Sequence, residues 1–251
     1  MTFAHTVLVA VAFVTAVLSG FLGMGGGMLL LATLLCFLPH AEAIPTHAAV
    51  QLASNGTRIA AFLRAVDWPT IGRFLTGALP GGALGLALLV WLGPSKGSEP
   101  YLKMAVGAYI LLAAFLPQGS RSSTNGSRWD FPALGLVAGT AALTVGAVGP
   151  LIAPMFARRG FVKERLIATK ATCQIILHGV KIPAFLWLRD FDYAEMTRVT
   201  AAMIVVVVPG TLLGKRLLKH VSEANFRWMY RSALTVAGLK VLLWDGVSQL
   251  L

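Results

Sequence analysis

Acidic residues are scarce in this sequence of 251 residues. Only 12% of the residues are charged, and the 10 Asp and Glu residues face 21 Lys and Arg residues. The acids at Asp67, Glu164, Asp190 and Asp245 all lie near the ends of apolar runs. A cation site inside apolar segments needs buried carboxylates. The composition therefore disfavours a cation transporter, and no metal is expected.

Motifs for catalysis and for nucleic-acid binding are also missing. The sequence holds two cysteines, Cys36 and Cys173, which lie in apolar runs and form no C-x-x-C pair. It has no G-x-S-x-G, paired-Asp or H-E-x-x-H pattern that would supply a nucleophile or a metal. An intramembrane enzyme is thus the weaker alternative, and neither a cofactor nor a nucleic-acid partner is expected.

Apolar runs occupy most of the chain, which is 57% hydrophobic. Several runs reach the roughly 20 residues that cross a bilayer as a helix. No Lys or Arg precedes the first run, which predicts a membrane segment and not a removed signal peptide. We predict an all-α, polytopic membrane protein with the lipid bilayer as a partner. We expect its location to be a cell membrane, such as the bacterial inner membrane.

One stretch of the chain occurs twice. Residues 44–67 recur 123 positions later as residues 167–190, and ten of the 24 aligned positions are identical. Chance in an apolar background gives roughly two or three identities, so the match indicates an internal duplication. We predict two homologous transmembrane repeats, 1–118 and 131–251, joined by the polar linker 119–130.

The duplicated stretches share a stripe of polar and cationic residues. At about 100° per residue, positions 47, 51, 55 and 58 fall within an arc of roughly 80°, as do positions 170, 174, 178 and 181 on the second helix. Cations inside membrane helices are costly and indicate function. We predict that the two stripes face one cavity and bind a small anion, through Thr46, His47, Gln51, Asn55, Arg58, Thr169, Lys170, Gln174, His178 and Lys181.

A glycine-rich break precedes each stripe. Residues 20–27 contain five glycines, and part of the pattern returns at the duplication offset with Pro150 in place of Gly27. Broken helices, one per repeat, are a recurrent transporter device, and the free N–H groups where a half-helix begins bind anions. The break residues that we assign to the anion site are Gly23, Gly25, Gly26, Gly27, Gly146 and Gly149.

The distribution of cations among the loops distinguishes two possible topologies. If both broken segments cross the membrane, ten cations lie on one side and six on the other. If each broken segment is re-entrant, twelve cations lie on one side and four on the other, and the two halves have inverted orientations. The positive-inside rule favours the second arrangement. Eight straight crossings in parallel repeats are the alternative.

Four segments carry a resemblance to a known family. The sequences G-F-L-G-M-G-G-G-M-L-L, I-P-T-H-A-A-V-Q-L-A-S-N, G-A-V-G-P-L-I-A-P-M-F and L-I-A-T-K-A-T resemble motifs of the TauE/SafE family. That resemblance implies a duplicated membrane protein that exports or takes up sulfite or organosulfonates. Two alternatives to an exporter stay open: a passive anion channel, and an uptake carrier for another sulfur oxyanion or a carboxylate. The coupling ion also stays open, as does the oligomeric state, for which a homodimer is one option.

Overall fold

The structure, a computed structural model, is helical throughout the residues that it describes, as the sequence predicts. These residues are 3–22, 25–92, 99–115, 127–161, 163–188, 193–217 and 223–250. Gly23 and residues 119–126 of the predicted linker lie outside them. The helices are α1 (Phe3–Leu22), α2 (Gly26–Phe37), α3 (His40–Ala61), α4 (Trp68–Leu92), α5 (Glu99–Phe115), α6 (Asp130–Thr144), α7 (Gly149–Arg158), α8 (Lys163–Leu188), α9 (Tyr193–Leu217) and α10 (Glu223–Leu239), which continues as a π-turn over Lys240–Trp244.

Helix boundaries fall within both predicted breaks. Gly25, before α2, has a φ of 93°, and Gly146, before α7, has a φ of 92°. Glycine adopts this backbone conformation at little cost, because a Cβ would clash there. With 12 residues in α2 and 10 in α7, these helices are only about 18 Å and 15 Å long. Neither helix can cross a hydrocarbon core of about 30 Å alone.

The two striped helices, α3 and α8, pack against each other in opposite directions. Early in α3, the His47 ring lies 5.3 Å from the His178 ring, measured between centroids. After the end of α3, the backbone N–H of Asp67 donates to Thr169 Oγ1 at 3.0 Å. Positions later in and after α3 therefore contact positions earlier in α8, so the two helices are antiparallel.

Glycines allow two further helix pairs, α4 with α6 and α1 with α9, to approach closely. A Cβ added to Gly81 would lie 2.2 Å from the Leu136 backbone oxygen. One added to Gly210 would lie 2.9 Å from the Phe13 backbone oxygen. Small residues at such contacts let membrane helices pack backbone to backbone.

One end of the bundle, here called the Asp67 face, gathers several helix ends. Arg165, at the start of α8, forms an ion pair with Asp67. Partial burial raises the pKa of the Asp67 carboxyl, but hydrogen bonds from Arg165 and Thr70 outweigh that effect, so this pKa lies below its ordinary value. Lys215, near the end of α9, donates to the Ala61 carbonyl at 3.4 Å.

The start of α6 lies at the same face. Phe131 packs edge-on against Phe161, with ring centroids 6.1 Å apart, and the Arg165 guanidinium lies 4.3 Å from the Phe161 ring centroid. The other end of the bundle, the Lys240 face, joins the C-terminal segment to α2. There Lys240 binds both carboxylate oxygens of Asp245 and donates to the Cys36 carbonyl at 3.2 Å.

The outer surface of the bundle is apolar. Two helices, Trp68–Trp91 and Thr197–Leu217, are long and apolar enough to cross a membrane, and shorter apolar helices accompany them. Tryptophans at membrane–water interfaces anchor helix ends. All six tryptophans of the chain are exposed, and most lie at or near a helix end: Trp68, Trp91, Trp129, Trp187, Trp228 and Trp244.

Candidate functional site

A small cavity lies where the starts of α2 and α7 meet the middle of α3 and α8. Its volume of about 20 Å³ is space for roughly one water-sized particle. Its lining combines glycines of both breaks with side chains of both stripes. The lining residues are Ser19, Gly25, Gly27, Met28, His47, Gln51, Arg58, Ala147, Gly149, Pro150, Lys170, Gln174 and His178.

Two glutamine amides occupy matching places at the two helix starts. A Cβ added to Gly27 would lie 3.2 Å from the Gln51 amide, and one added to Gly149 would lie 3.3 Å from Gln174 Nε2. Both distances are shorter than ordinary van der Waals contact, so each glycine gives its amide room beside the helix start. The first N–H groups of a helix have no partner within the helix, and the helix dipole makes this end positive. Each glutamine thus lies beside a positive helix end.

Arg58 brings a buried guanidinium to the cavity wall. Its Nη1 donates to Asn55 Oδ1 at 2.7 Å, and its Nη2 donates to Ser54 Oγ at 2.8 Å. Ser54 is itself within 3.2 Å of Thr211 Oγ1 on α9. Within the described part of the chain, Nε of Arg58 has no hydrogen-bond partner. The neighbours that orient Arg58 are uncharged and leave its charge uncompensated.

A histidine pair forms another part of the cavity wall. His47 Nε2 lies 2.8 Å from the Gly27 carbonyl, and His178 Nδ1 lies 3.1 Å from Lys181 Nζ. Lys181 also donates to the Gly146 carbonyl. It therefore ties α8 to the second glycine break and lies behind His178, outside the cavity lining.

The buried groups carry charge of one sign. Arg58, Lys170 and Lys181 are each at most 3% exposed, and the buried polar residues in the described ranges include no Asp or Glu. The same ranges contain no group of His, Cys, Asp and Glu side chains that could hold a metal ion. Buried cations are costly without a counter-charge. An anion that enters this cavity would offset that cost and gain charge-assisted hydrogen bonds.

The structure brings together about half of the predicted site residues. Gly25, Gly27, His47, Gln51, Arg58, Gly149, Lys170, Gln174 and His178 line the cavity, whereas Gly26, Thr46, Asn55, Gly146, Thr169 and Lys181 do not. Asn55 and Lys181 contact lining residues, and Thr169 binds the Asp67 backbone instead. Gly23 lies outside the described residues.

Sequence reasoning missed four lining residues, Ser19, Met28, Ala147 and Pro150. Three of them directly flank a glycine named in the prediction, and Ser19 precedes the first glycine of the break. Assigning the whole second break to the site, and not its glycines alone, would have found Ala147 and Pro150, whereas Ser19 and Met28 lie just outside residues 20–27.

The match to a family covers most of the chain. A family model described as "Sulfite exporter TauE/SafE" matches residues 8–241. The chain belongs to the TauE/SafE family of sulfite exporters. A relative from Cupriavidus necator, named "Probable sulfite/organosulfonate exporter TauE", is 25% identical over 226 residues, which cover 88% of this chain and 87% of the relative.

Membership in the TauE/SafE family identifies the chain as a membrane transporter, and the resemblance noted in the sequence is confirmed. The exposed apolar residues and tryptophans of the bundle then have an explanation, since lipid covers them. The cation-rich cavity lies inside this transporter and not on its surface.

Proposed function

We propose that this chain moves sulfite or a small organosulfonate across the cell membrane, and that the cavity between α2, α3, α7 and α8 binds the anion. The observation that carries the proposal is the lining itself: Arg58, Lys170 and two helix starts, with no carboxylate among the lining residues. The name of the Cupriavidus necator relative supports a sulfur oxyanion as the substrate.

The cavity also supports a carrier and not an open channel. A sulfur oxyanion is larger than the water-sized space that the lining residues leave free, so some of these residues have to move when it binds. A site that must open for each anion is typical of a carrier that alternates between states. We assign no enzymatic reaction to the chain.

We further propose that the transporter consists of two inverted repeats. The antiparallel packing of the equivalent helices α3 and α8 supports this arrangement, because parallel repeats would orient both helices the same way. The glycine contacts support it as well. Pro80-Gly81 and Pro209-Gly210 match at an offset of 129, and Phe13 and Leu136 match at 123. Each contact therefore joins α4 or α9 of one half to the first helix of the other.

Counterflow in proteoliposomes tests the proposed function. Vesicles that contain the purified chain are loaded with unlabelled sulfite and diluted into labelled sulfite. A carrier accumulates label transiently, and the rate saturates with the outside concentration. Flux that rises linearly with concentration, without transient accumulation, would identify a passive channel. Counterflow with a carboxylate but with neither sulfite nor a small organosulfonate would contradict the assigned substrate class.

A further inference from the structure

The hydrogen bonds of the histidine pair fix its tautomers. A carbonyl oxygen only accepts, so His47 Nε2, 2.8 Å from the Gly27 carbonyl, carries the hydrogen. A charged lysine ammonium only donates, so with Lys181 charged, His178 Nδ1, 3.1 Å from Lys181 Nζ, is the acceptor. His47 Nδ1 is therefore a lone pair, and His178 Nε2 carries a hydrogen.

Both remaining ring nitrogens are buried and unused. His47 and His178 are each 1% exposed. Neither His47 Nδ1 nor His178 Nε2 has a hydrogen-bond partner within the described residues, yet both side chains line the cavity. A buried polar atom without a partner costs free energy. A free acceptor and a free donor, side by side in a cavity, indicate that a proton and an anion complete the site.

We propose that His47 Nδ1 is the proton-binding site of this transporter, and that it takes up a proton from water when the anion enters the cavity. The anion accepts a hydrogen bond from His178 Nε2 and balances the new charge on His47. The inference rests on the proposed anion site and deepens it.

The surrounding charges explain why the proton and the anion arrive together. Lys181 on α8 and Arg58 on α3 lie near the pair, Lys170 on α8 lines the same cavity, and α1 contributes uncharged Ser19. These like charges oppose a proton on His47 while the cavity holds no anion. An anion reverses the local field, so each ligand strengthens the binding of the other, as thermodynamic linkage requires.

Calorimetry measures this coupling directly. The full-length chain in lipid nanodiscs is titrated with sulfite at one pH, at which free sulfite is mostly the dianion, in phosphate and in Tris. The two buffers differ in ionisation enthalpy, so the difference in heat counts protons. For the wild type we expect uptake of about one proton per sulfite bound, and for His47→Gln little or none. Gln keeps a donor for the Gly27 carbonyl but does not titrate.

His40→Gln is the matched control. His40 is a buried histidine on the same helix, but it faces the Thr144 carbonyl at 3.3 Å and does not line the cavity. We expect this variant to take up the proton as the wild type does.

Two results overturn the inference while the proposed function stands. One is sulfite binding to the wild type without any buffer-dependent heat. The other is proton uptake that His47→Gln leaves unchanged, which would place the proton on the anion or on another group. A folded wild type that binds no sulfite would overturn the proposed function and the inference together. If His47→Gln fails to fold, wild-type binding without buffer-dependent heat still overturns the inference, and His47→Asn, which also cannot titrate, tests the assignment to His47 in its place.

Discussion

At the scale of single residues, Arg58 shows how a buried cation is prepared for an anion. Asn55 and Ser54 hold two of its nitrogens in place through neutral oxygens and supply no negative charge. Such neighbours orient a guanidinium and leave its charge for a ligand. Lys181, at the equivalent position of the other half, bonds instead to a carbonyl and a histidine.

Replacing Arg58 by Gln should weaken sulfite binding about ten- to a hundredfold, because a hydrogen bond to a charged group contributes about 1.5–3 kcal/mol. Arg58→Lys should fall between the wild type and Arg58→Gln, since lysine restores the charge without the forked donor. Arg64→Gln is the control, because Arg64 is exposed beyond the end of α3. Equal affinity for Arg58→Gln and wild type, with normal membrane insertion, would make Arg58 a structural residue only.

Gly149→Ala should reduce sulfite affinity more than it reduces stability. The new methyl group would lie 3.3 Å from Gln174 Nε2, so the amide has to give way at the helix start. Gly179→Ala, on α8, is the matched control, since its Cβ would meet nothing within 4 Å. Titration calorimetry and thermal unfolding of both variants separate the two effects. Similar affinities in both variants would remove Gln174 from the binding site.

Sequence periodicity predicted which side of α3 and α8 carries the polar stripe, and Gln51 and Gln174 lie on that side in the structure. It could not predict how deep each residue lies. The stripe covers roughly 80° of the helix circumference. That is more helix surface than can line a cavity of about 20 Å³. Asn55 and Lys181 therefore pack behind lining residues. Ser19 belongs to a helix without a stripe, and only the packed fold brings it to the cavity.

At the scale of helices, the contact between α4 and α6 depends on glycines, which have no side chain. A Cβ added to Gly77 would lie 1.8 Å from the Pro132 backbone oxygen, a distance that no rotamer can relieve. We expect Gly77→Ala to force the helices apart and to destabilise the protein by about 1–3 kcal/mol.

Thermal unfolding of the detergent-solubilised chain measures this cost. Gly72→Ala, on the same helix, provides the control, because its Cβ would meet nothing within 4 Å and alanine favours helix by about 1 kcal/mol. If Gly77→Ala proves as stable as Gly72→Ala, the close contact between α4 and α6 is not required.

Glycine and proline patterns located the helix breaks well, because backbone conformation at these residues is a local property. The helix starts at Gly26 and Gly149 are 123 residues apart, as are those at His40 and Lys163. The pairing of α4 with α6 and of α1 with α9 was not predicted. Gly77 and Gly135 show that each helix has a small-residue face, but a sequence does not say which two faces meet.

At the scale of the whole molecule, the charge count and the helix contacts favour the same topology. Eight straight crossings would place Arg64 and Arg165 at opposite ends of the bundle. In the structure Asp67, three residues after Arg64, forms an ion pair with Arg165. The Asp67 face thus carries Arg165 and Lys215, which the inverted arrangement assigns to the same side as Arg64. The positive-inside rule predicts that this side is cytoplasmic.

Cysteine labelling in cells can establish this topology. In a chain with Cys36→Ser and Cys173→Ser, single cysteines replace Arg64 and Arg158, which are exposed at or near the Asp67 face, and Tyr101, which is 58% exposed near the other end. A membrane-impermeant maleimide should label Tyr101→Cys in intact cells. It should label Arg64→Cys and Arg158→Cys only in inside-out vesicles. Labelling of Arg64→Cys and Arg158→Cys from opposite sides would contradict the inverted arrangement. These two positions lie on opposite sides of the membrane only if both broken segments cross it.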